Sequence, residues 1–277
     1  MAINEKTREA IETLRGWIDE CPAGGMVFFG GAGVSTESGI PDFRSANGIF
    51  MRDLGGAAIE HALAAGDVEG AERLRKLQLR PEEVVSRSFF DAFPREFFAF
   101  YFDKMIFNQV EPNAAHRKLA ELEARGIVRA VVTQNIDGLH QKAGSSKVFE
   151  LHGSVMRNLC MDCGEGFALE ETEGAWKRSC SEGDGIPRCS RCGGIIKPDV
   201  VLYEEGLDDA TIRGSVEAIH SADLLVIAGT SLLVNPAASL IRYFRGRHLV
   251  VVNLSPTQAD ERASLVIRAK VGEVFDY

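Results

Sequence analysis

The chain has 277 residues, 45% of them hydrophobic, and 40 acidic against 31 basic side chains give a formal net charge of −9. That length supports one large domain or a large domain carrying a smaller one. Charged residues at 26% and aromatics at 8% exclude a disordered chain, and the acidic balance excludes a protein held to nucleic acid or membrane mainly by bulk positive charge.

Residues 5–20 place Ile11, Leu14 and Ile18 at helical spacing, which predicts an amphipathic helix. This charged N-terminal segment has no signal-peptide core, and no run of about 18 apolar residues is available to cross a membrane. The expected location is cytoplasmic. Gly24 and Gly25 interrupt the helix, and Met26 to Phe29 predicts a buried strand running into Gly30-Gly31-Ala32-Gly33. Residues 45–104 predict two helical stretches followed by an aromatic-rich segment from Phe89 to Phe107. Asn113 suits the N-cap of a helix that buries Leu119 and Leu122 and stops at Gly126.

Strands are predicted at Val128–Val132 and Lys147–Leu151, followed by a cysteine-rich insertion over about 156–197. Further apolar runs follow at Val200–Leu202, Leu224–Ile227 and Leu249–Val252. Strands alternating with helices imply an α/β fold with a parallel sheet, the insertion and residues 45–104 forming a smaller lobe. Ligands of such sheets bind beyond the carboxyl ends of the strands, where most of the unusual polar residues fall.

Five motifs stand out. Gly30 to Ser35 is a glycine turn after a strand, where a backbone can approach a phosphate at a helix N-terminus. It departs from the dinucleotide pattern G-x-G-x-x-G, because Thr36 holds the third glycine position, and it reads equally as a plain tight turn. Cys160-x-x-Cys163, a 25-residue gap and Cys189-x-x-Cys192 give four thiolates in two knuckles, a tetrahedral Zn²⁺ set with no open position, hence structural. The segment 155–197 holds six basic and seven acidic residues, unlike a nucleic-acid-binding ribbon. Cys21 and Cys180 are left over.

Thr133 to His140 concentrates polar side chains at a strand end, where ligand contacts gather, although Asn135 and Asp137 also suit a helix cap. His140 reads as a structural helix residue. His152, in Glu150-Leu151-His152-Gly153, has the pKa range of a general base near neutrality. Gly229-Thr230-Ser231 and Asn253-Leu254-Ser255 each follow an apolar run and suit phosphate or ribose oxygens, or simple strand termination.

Taken together, the segments from Gly31 to Arg44 and from Thr133 to His140, with His152-Gly153, the cysteine pairs, Lys197 to Val201, Gly229 to Ser231 and Val252-Asn253, resemble the sirtuin family, the NAD-dependent protein deacylases. The resemblance runs from about residue 20 to the C-terminus. It implies a single catalytic domain, with a Rossmann-like lobe over about 1–44, 105–155 and 198–277. It also implies a smaller lobe that is helical over about 45–104 and zinc-binding over 156–197.

By matching position, Gly31, Ala32, Ser35, Phe43 and Arg44 would line the NAD phosphate and nicotinamide-ribose region. Gln134 and Asn135 would bind the ribose, Ile136 and Asp137 the nicotinamide carboxamide, and Gly229, Thr230, Ser231 and Asn253 the phosphates and adenosine. His152 would be the general base, with Asn135 a further catalytic residue. The implied reaction is deacetylation of protein lysine, the acyl group passing to ADP-ribose and nicotinamide leaving. Alternatives are desuccinylation or another deacylation, and mono-ADP-ribosyl transfer. The implied partner is an acylated lysine-containing protein, with no direct nucleic acid and no membrane; the oligomeric state stays open.

Two departures from the family bear on the substrate. After Val200 and Val201, expected to pair with the substrate peptide backbone together with Tyr203, the family has an aromatic, glycine and glutamate. Here Tyr203 is followed by Glu204-Glu205, which would alter peptide fit or favour basic neighbours. Members that remove acidic acyl groups carry Tyr-x-x-Arg where this chain has Tyr101-x-x-Lys104, and lysine lacks arginine's bidentate fork.

Overall fold

The computed structural model describes residues 4–42, 81–107 and 109–277, with residues 59, 63, 68, 71 and 72 between them. Nine strands lie among the described residues: β1 (Met26–Gly30), β2 (Val128–Thr133), β3 (Val148–Glu150), β4 (Gly153–Cys160), β5 (Gly166–Ala168), β6 (Ile196–Val200), β7 (Leu224–Ala228), β8 (His248–Val252) and β9 (Leu265–Ile267). They form a six-stranded sheet in the order β3-β2-β1-β7-β8-β9 and a three-stranded sheet in the order β5-β4-β6. The chain separates into two compact units. One comprises Met1–Asp42, Gln109–His152 and Leu207–Tyr277, and the other Phe43–Asn108 and Gly153–Gly206.

The first unit holds the six-stranded sheet, in which every neighbouring pair runs parallel. Parallel strands covered on both faces read as unbroken apolar runs, and β1 shows why. Met26 and Phe28 enter a core cluster with Ile11, Leu14 and Ile18 of the helix Glu5–Asp19 and with Leu119 and Leu122 of the helix Ala114–Ala124. Val27 and Phe29 enter a second cluster, on Ala218 and Ile219 of the helix Asp209–His220. Asn4 caps the first helix by accepting from Thr7 N at 2.8 Å, and Asn113 caps the second, as its position in the sequence indicated.

The second unit is built on the antiparallel sheet, in which β4 and β6 pair from Gly153↔Val200 to Cys160↔Ile196. Residues 153–155 and 198–206, which the sequence suggested for the larger lobe, fall in this unit, the ladder joining 153–154 to 199–200. It also corrects the expected parallel strand at Val200–Leu202: Val200 ends β6, and Val201 and Leu202 lie outside any strand.

Gly153 has φ +73°, and a Cβ there would fall 1.9 Å from the Asp199 carbonyl oxygen, so the start of β4 requires glycine. The helices Arg87–Ala92 and Pro94–Phe100 and the π-helical turn Tyr101–Met105 carry a buried aromatic cluster of Phe90, Phe97, Phe98, Tyr101 and Phe102. Phe102 stacks on Trp176 of the helix Leu169–Glu182 with ring centroids 4.5 Å apart, joining the aromatic segment to the cysteine-rich one. Aromatic pairs of this kind contribute about 0.5–1.5 kcal/mol each beyond their burial. No helix among the described residues is long and apolar enough to cross a membrane.

Candidate active site and metal centre

The order of the parallel sheet reverses direction at β1, whose neighbours are β2 on one side and β7 on the other. Such a switch point opens a crevice beyond the strand ends. The loops after β1 and β7 meet there closely. A Cβ on Gly31 would lie 2.7 Å from Thr230 Cβ, and one on Gly33 would lie 2.7 Å from Gly229 Cα. The close packing of one loop on the other therefore requires glycine at both positions. The chain then forms two short 3₁₀ turns, Ala32–Val34 and Thr36–Ser38, in place of the expected helix N-terminus.

Three polar side chains from two strand ends form a chain of hydrogen bonds. Asn135 Nδ2 donates to Ser35 Oγ at 3.1 Å, and Ser35 Oγ donates to Asp137 Oδ2 at 2.6 Å. Asp137 Oδ1 accepts from Leu139 N at 2.9 Å, just ahead of the helix Leu139–Lys142, whose N-cap is Gly138. Burial pushes the Asp137 carboxyl above its ordinary range, while the Ser35 and Leu139 hydrogen bonds pull it back. The loop after β2 ties to the loop after β7 through Gln134 Nε2, which donates to Thr230 Oγ1 at 3.1 Å.

His152 Nδ1 lies 2.9 Å from the Gln134 carbonyl oxygen. A carbonyl can only accept, so Nδ1 carries the hydrogen and Nε2 of the neutral ring keeps its lone pair. Burial lowers the pKa of His152, and the bond to Gln134 opposes that shift. Sequence reasoning missed one supporting residue. Asn113, read only as a helix cap, donates through Nδ2 to the Val34 carbonyl at 2.7 Å and so braces the turn that presents Ser35. No local spacing signals a contact across 79 positions.

Of the other positions singled out, Ile136 is half-buried and Ser231 exposed, and Gly229 has a left-handed φ of +59°. The Asn253 side chain donates to the Ser255 carbonyl at 2.8 Å and shapes its own loop. Phe43 and Arg44 lie outside the described residues. His140 belongs to the core. It is buried with its ring 4.7 Å from that of His116, and burial pulls the pKa of both down, to about 4 for His116.

In the second unit Cys160, Cys163, Cys189 and Cys192 converge, all four sulfur atoms lying within 4.8 Å of one another. Cys160 and Cys192 are 3.4 Å apart and Cys163 and Cys189 3.8 Å. Four thiolates around a zinc ion with bonds of about 2.3 Å sit about 3.8 Å apart, so the cluster suits a closed, structural Zn²⁺ site. Cys180 is exposed and Cys21 half-buried, and neither joins it.

Val200 is buried, Val201 half-buried and Tyr203 exposed. Tyr203 N donates to the Val85 carbonyl at 3.0 Å, and its carbonyl accepts from Arg87 N at 2.9 Å. Glu204 takes a left-handed φ of +77°, uncommon for a side chain other than glycine. Its carboxylate accepts from Ser88 N at 2.9 Å and from Ser88 Oγ at 3.0 Å. Glu205 pairs with Lys197 and with Arg87, each at 3.1 Å. Tyr101 is buried, among the described residues no group hydrogen-bonds its hydroxyl, and burial pushes its pKa up. Lys104 pairs with Asp103 at 2.6 Å.

The Sir2 family model matches residues 31–62 and 71–236, well over half of the chain. A Clostridium perfringens protein named NAD-dependent protein deacetylase is 53% identical over 255 residues, covering 90% of this chain and 91% of its own length. One of the same name from Cutibacterium acnes is 46% identical over 264 residues and covers 95% of each chain. Among solved structures, Sir2 with a p53 peptide and NAD+ matches with a TM-score of 0.75 at 32% identity, covering 96% of this chain and 95% of that one. A Sir2 variant with a deacetylated p53 peptide and 3′-O-acetyl-ADP-ribose matches at 0.77 and 34% identity, with the same coverage. By the model match, and by relatives this similar along nearly their whole length, the chain belongs to the Sir2 family.

Proposed function

We propose that this protein is an NAD-dependent protein-lysine deacetylase, and that His152 is its general base. The observation that carries the reading is the Nδ1–H bond from His152 to the Gln134 carbonyl, which leaves Nε2 free to take a proton. Asn135, Ser35 and Asp137 stand at the neighbouring strand ends as a bonded set, with the donors and acceptors a ribose and a carboxamide need. Gly31, Ala32, Gln134, Ile136, Gly229, Thr230, Ser231 and Asn253, which follow the carboxyl ends of β1, β2, β7 and β8, are assigned to the same NAD surface, and Phe43 and Arg44 are assigned to it from the sequence motif. NAD supplies the ADP-ribose that accepts the acyl group and the nicotinamide that leaves. His152 takes the proton from the hydroxyl that captures the acyl carbon, Gln134 sets the imidazole's tautomer, and Asn135 and Asp137 orient the groups around it.

We assign the unit with the parallel sheet as the NAD-holding lobe and the cysteine-bearing unit as the smaller, structural one. Val200, Val201 and Tyr203 are assigned to the substrate peptide. Acetyl is favoured over acidic acyl groups, because the Tyr101 hydroxyl is sealed in an aromatic core and Lys104 already has a carboxylate partner. A cytoplasmic location is supported by the four thiolates, which need reducing surroundings to remain metal ligands.

The test is incubation with NAD and an acetyl-lysine peptide, with products read by mass spectrometry. Acetyl-ADP-ribose is the expected product; free ADP-ribose or a modified protein would favour hydrolysis or ADP-ribosyl transfer. A His152→Ala variant should still bind NAD and lose deacetylation. Because burial lowers the pKa of His152, kcat/KM should fall on the acid side through a group below the ordinary value of about 6.5. A flat acid limb removes His152 from the role.

A further inference from the structure

We infer that Glu204 is a specificity-determining residue that selects acylated peptides with a lysine or arginine flanking the modified lysine. The inference rests on the deacetylase reading, in which Val200, Val201 and Tyr203 line the substrate and Glu204 is the next residue along the chain.

Three observations combine. First, Glu204 is held in place. Its φ of +77° is a conformation that residues other than glycine seldom adopt, and its carboxylate is fixed by the amide and hydroxyl of Ser88 at 2.9 and 3.0 Å. Second, its charge is uncompensated. The adjacent Glu205 has Lys197 and Arg87 as partners, whereas among the described residues no lysine or arginine pairs with Glu204. Third, the side chain is exposed, and the residues leading to it are the assigned substrate segment. Its two hydrogen bonds occupy one acceptor position on each oxygen, and a carboxylate has about four. Both oxygens can therefore still receive a cationic side chain. A carboxylate already ordered loses little rotamer freedom on meeting one, which favours the contact over one with a mobile surface glutamate.

The alternative is that Glu204 only anchors its own turn to the helix Arg87–Ala92. Charge separates the two. Two exposed opposite charges about 5 Å apart in water give about a fourfold preference, which salt screens. The experiment compares kcat/KM for three acetyl-lysine peptides alike except for basic, neutral or acidic residues beside the acetyl-lysine. The expected order is basic, neutral, acidic, with about a fourfold step between the first two at low salt that shrinks in 0.5 M NaCl.

Glu204→Gln keeps the shape and most of the hydrogen bonding, and should bring the basic-to-neutral ratio close to one. Glu204→Lys should invert the order. Thermal midpoints and zinc content identify a variant that has merely lost its fold, in which case the salt dependence of the unaltered protein decides. Equal turnover of all three peptides by the unaltered protein, or an unchanged ratio in a folded Glu204→Gln, overturns the inference while leaving the deacetylase reading intact. No turnover of any acetylated peptide overturns that reading instead.

Discussion

Replacing Ser35 by alanine isolates the group that joins Asn135 to Asp137. Ser35 is buried at 1% exposure, and its hydroxyl both donates to Asp137 Oδ2 and accepts from Asn135 Nδ2. Losing a hydrogen bond to a largely desolvated charged group costs about 1.5–3 kcal/mol, which for a chain of this size is roughly 3–5 °C in Tm.

The cost should depend on pH, with a definite sign. Burial raises the folded-state pKa of Asp137 above its unfolded value. The ionised carboxylate therefore opposes folding, and the stability it withholds at neutral pH returns as pH falls and the group is protonated. The Ser35 bond lowers that pKa, so removing it raises the pKa further and deepens the penalty wherever Asp137 is ionised. Denaturant unfolding of both proteins at pH 7 and pH 4.5 should give a larger difference at pH 7. The KM for NAD should rise in parallel, because both side chains lose their orientation. A difference below about 0.5 kcal/mol, the range of ordinary surface substitutions, or one that does not change with pH, refutes the reasoning.

Chelation of the metal should unfold the three-stranded sheet and abolish activity, since metal binding at such a site is coupled to folding; circular dichroism and zinc content measured together test this, and a metal-free protein that stays folded and active contradicts the structural role. His116 and His140 predict acid lability. With a folded pKa of about 4 against about 6.5 unfolded, His116 contributes stability that is complete above pH 6.5 and lost as pH falls toward 4, on the order of 3 kcal/mol. His140 acts in the same direction, so His140→Leu should flatten the pH profile of denaturant stability between pH 7 and 4, and an unaltered slope would rule His140 out as a source.

The parallel sheet was legible because its strands are covered on both faces, so Met26–Phe29 and Leu224–Ile227 read as unbroken apolar runs. The same property misled at Val200–Leu202. A short apolar run does not reveal whether its partner is parallel or antiparallel, and the ladder from Gly153↔Val200 to Cys160↔Ile196 decided it. The polar residues of the site were visible because they follow strands, where side chains are not needed for the core. Their bonding was not visible: Ser35 and Asp137 are 102 positions apart, and Ser88 and Glu204 are 116. The need for glycine in that turn emerged only from its distance to Gly229 and Thr230. The left-handed turn at Glu204 runs against local preference, and the two bonds from Ser88 that stabilise it come from a distant segment.

Each unit is assembled from separated stretches of chain, with Phe43–Asn108 and Gly153–Gly206 inserted into the other unit's sequence. This has a consequence for synthesis on the ribosome. Met26 at the start of β1 pairs with Leu224, a loop of roughly two hundred residues to close before the central strand has both neighbours. The cysteine knuckles, by contrast, emerge within a short span and follow the aromatic helices. The zinc-bearing unit can therefore be complete while β1 still waits for β7, its apolar edge open to wrong partners. Metal starvation should then lower the soluble yield of newly made protein before it affects molecules already folded, which pulse-labelled solubility with and without zinc would test.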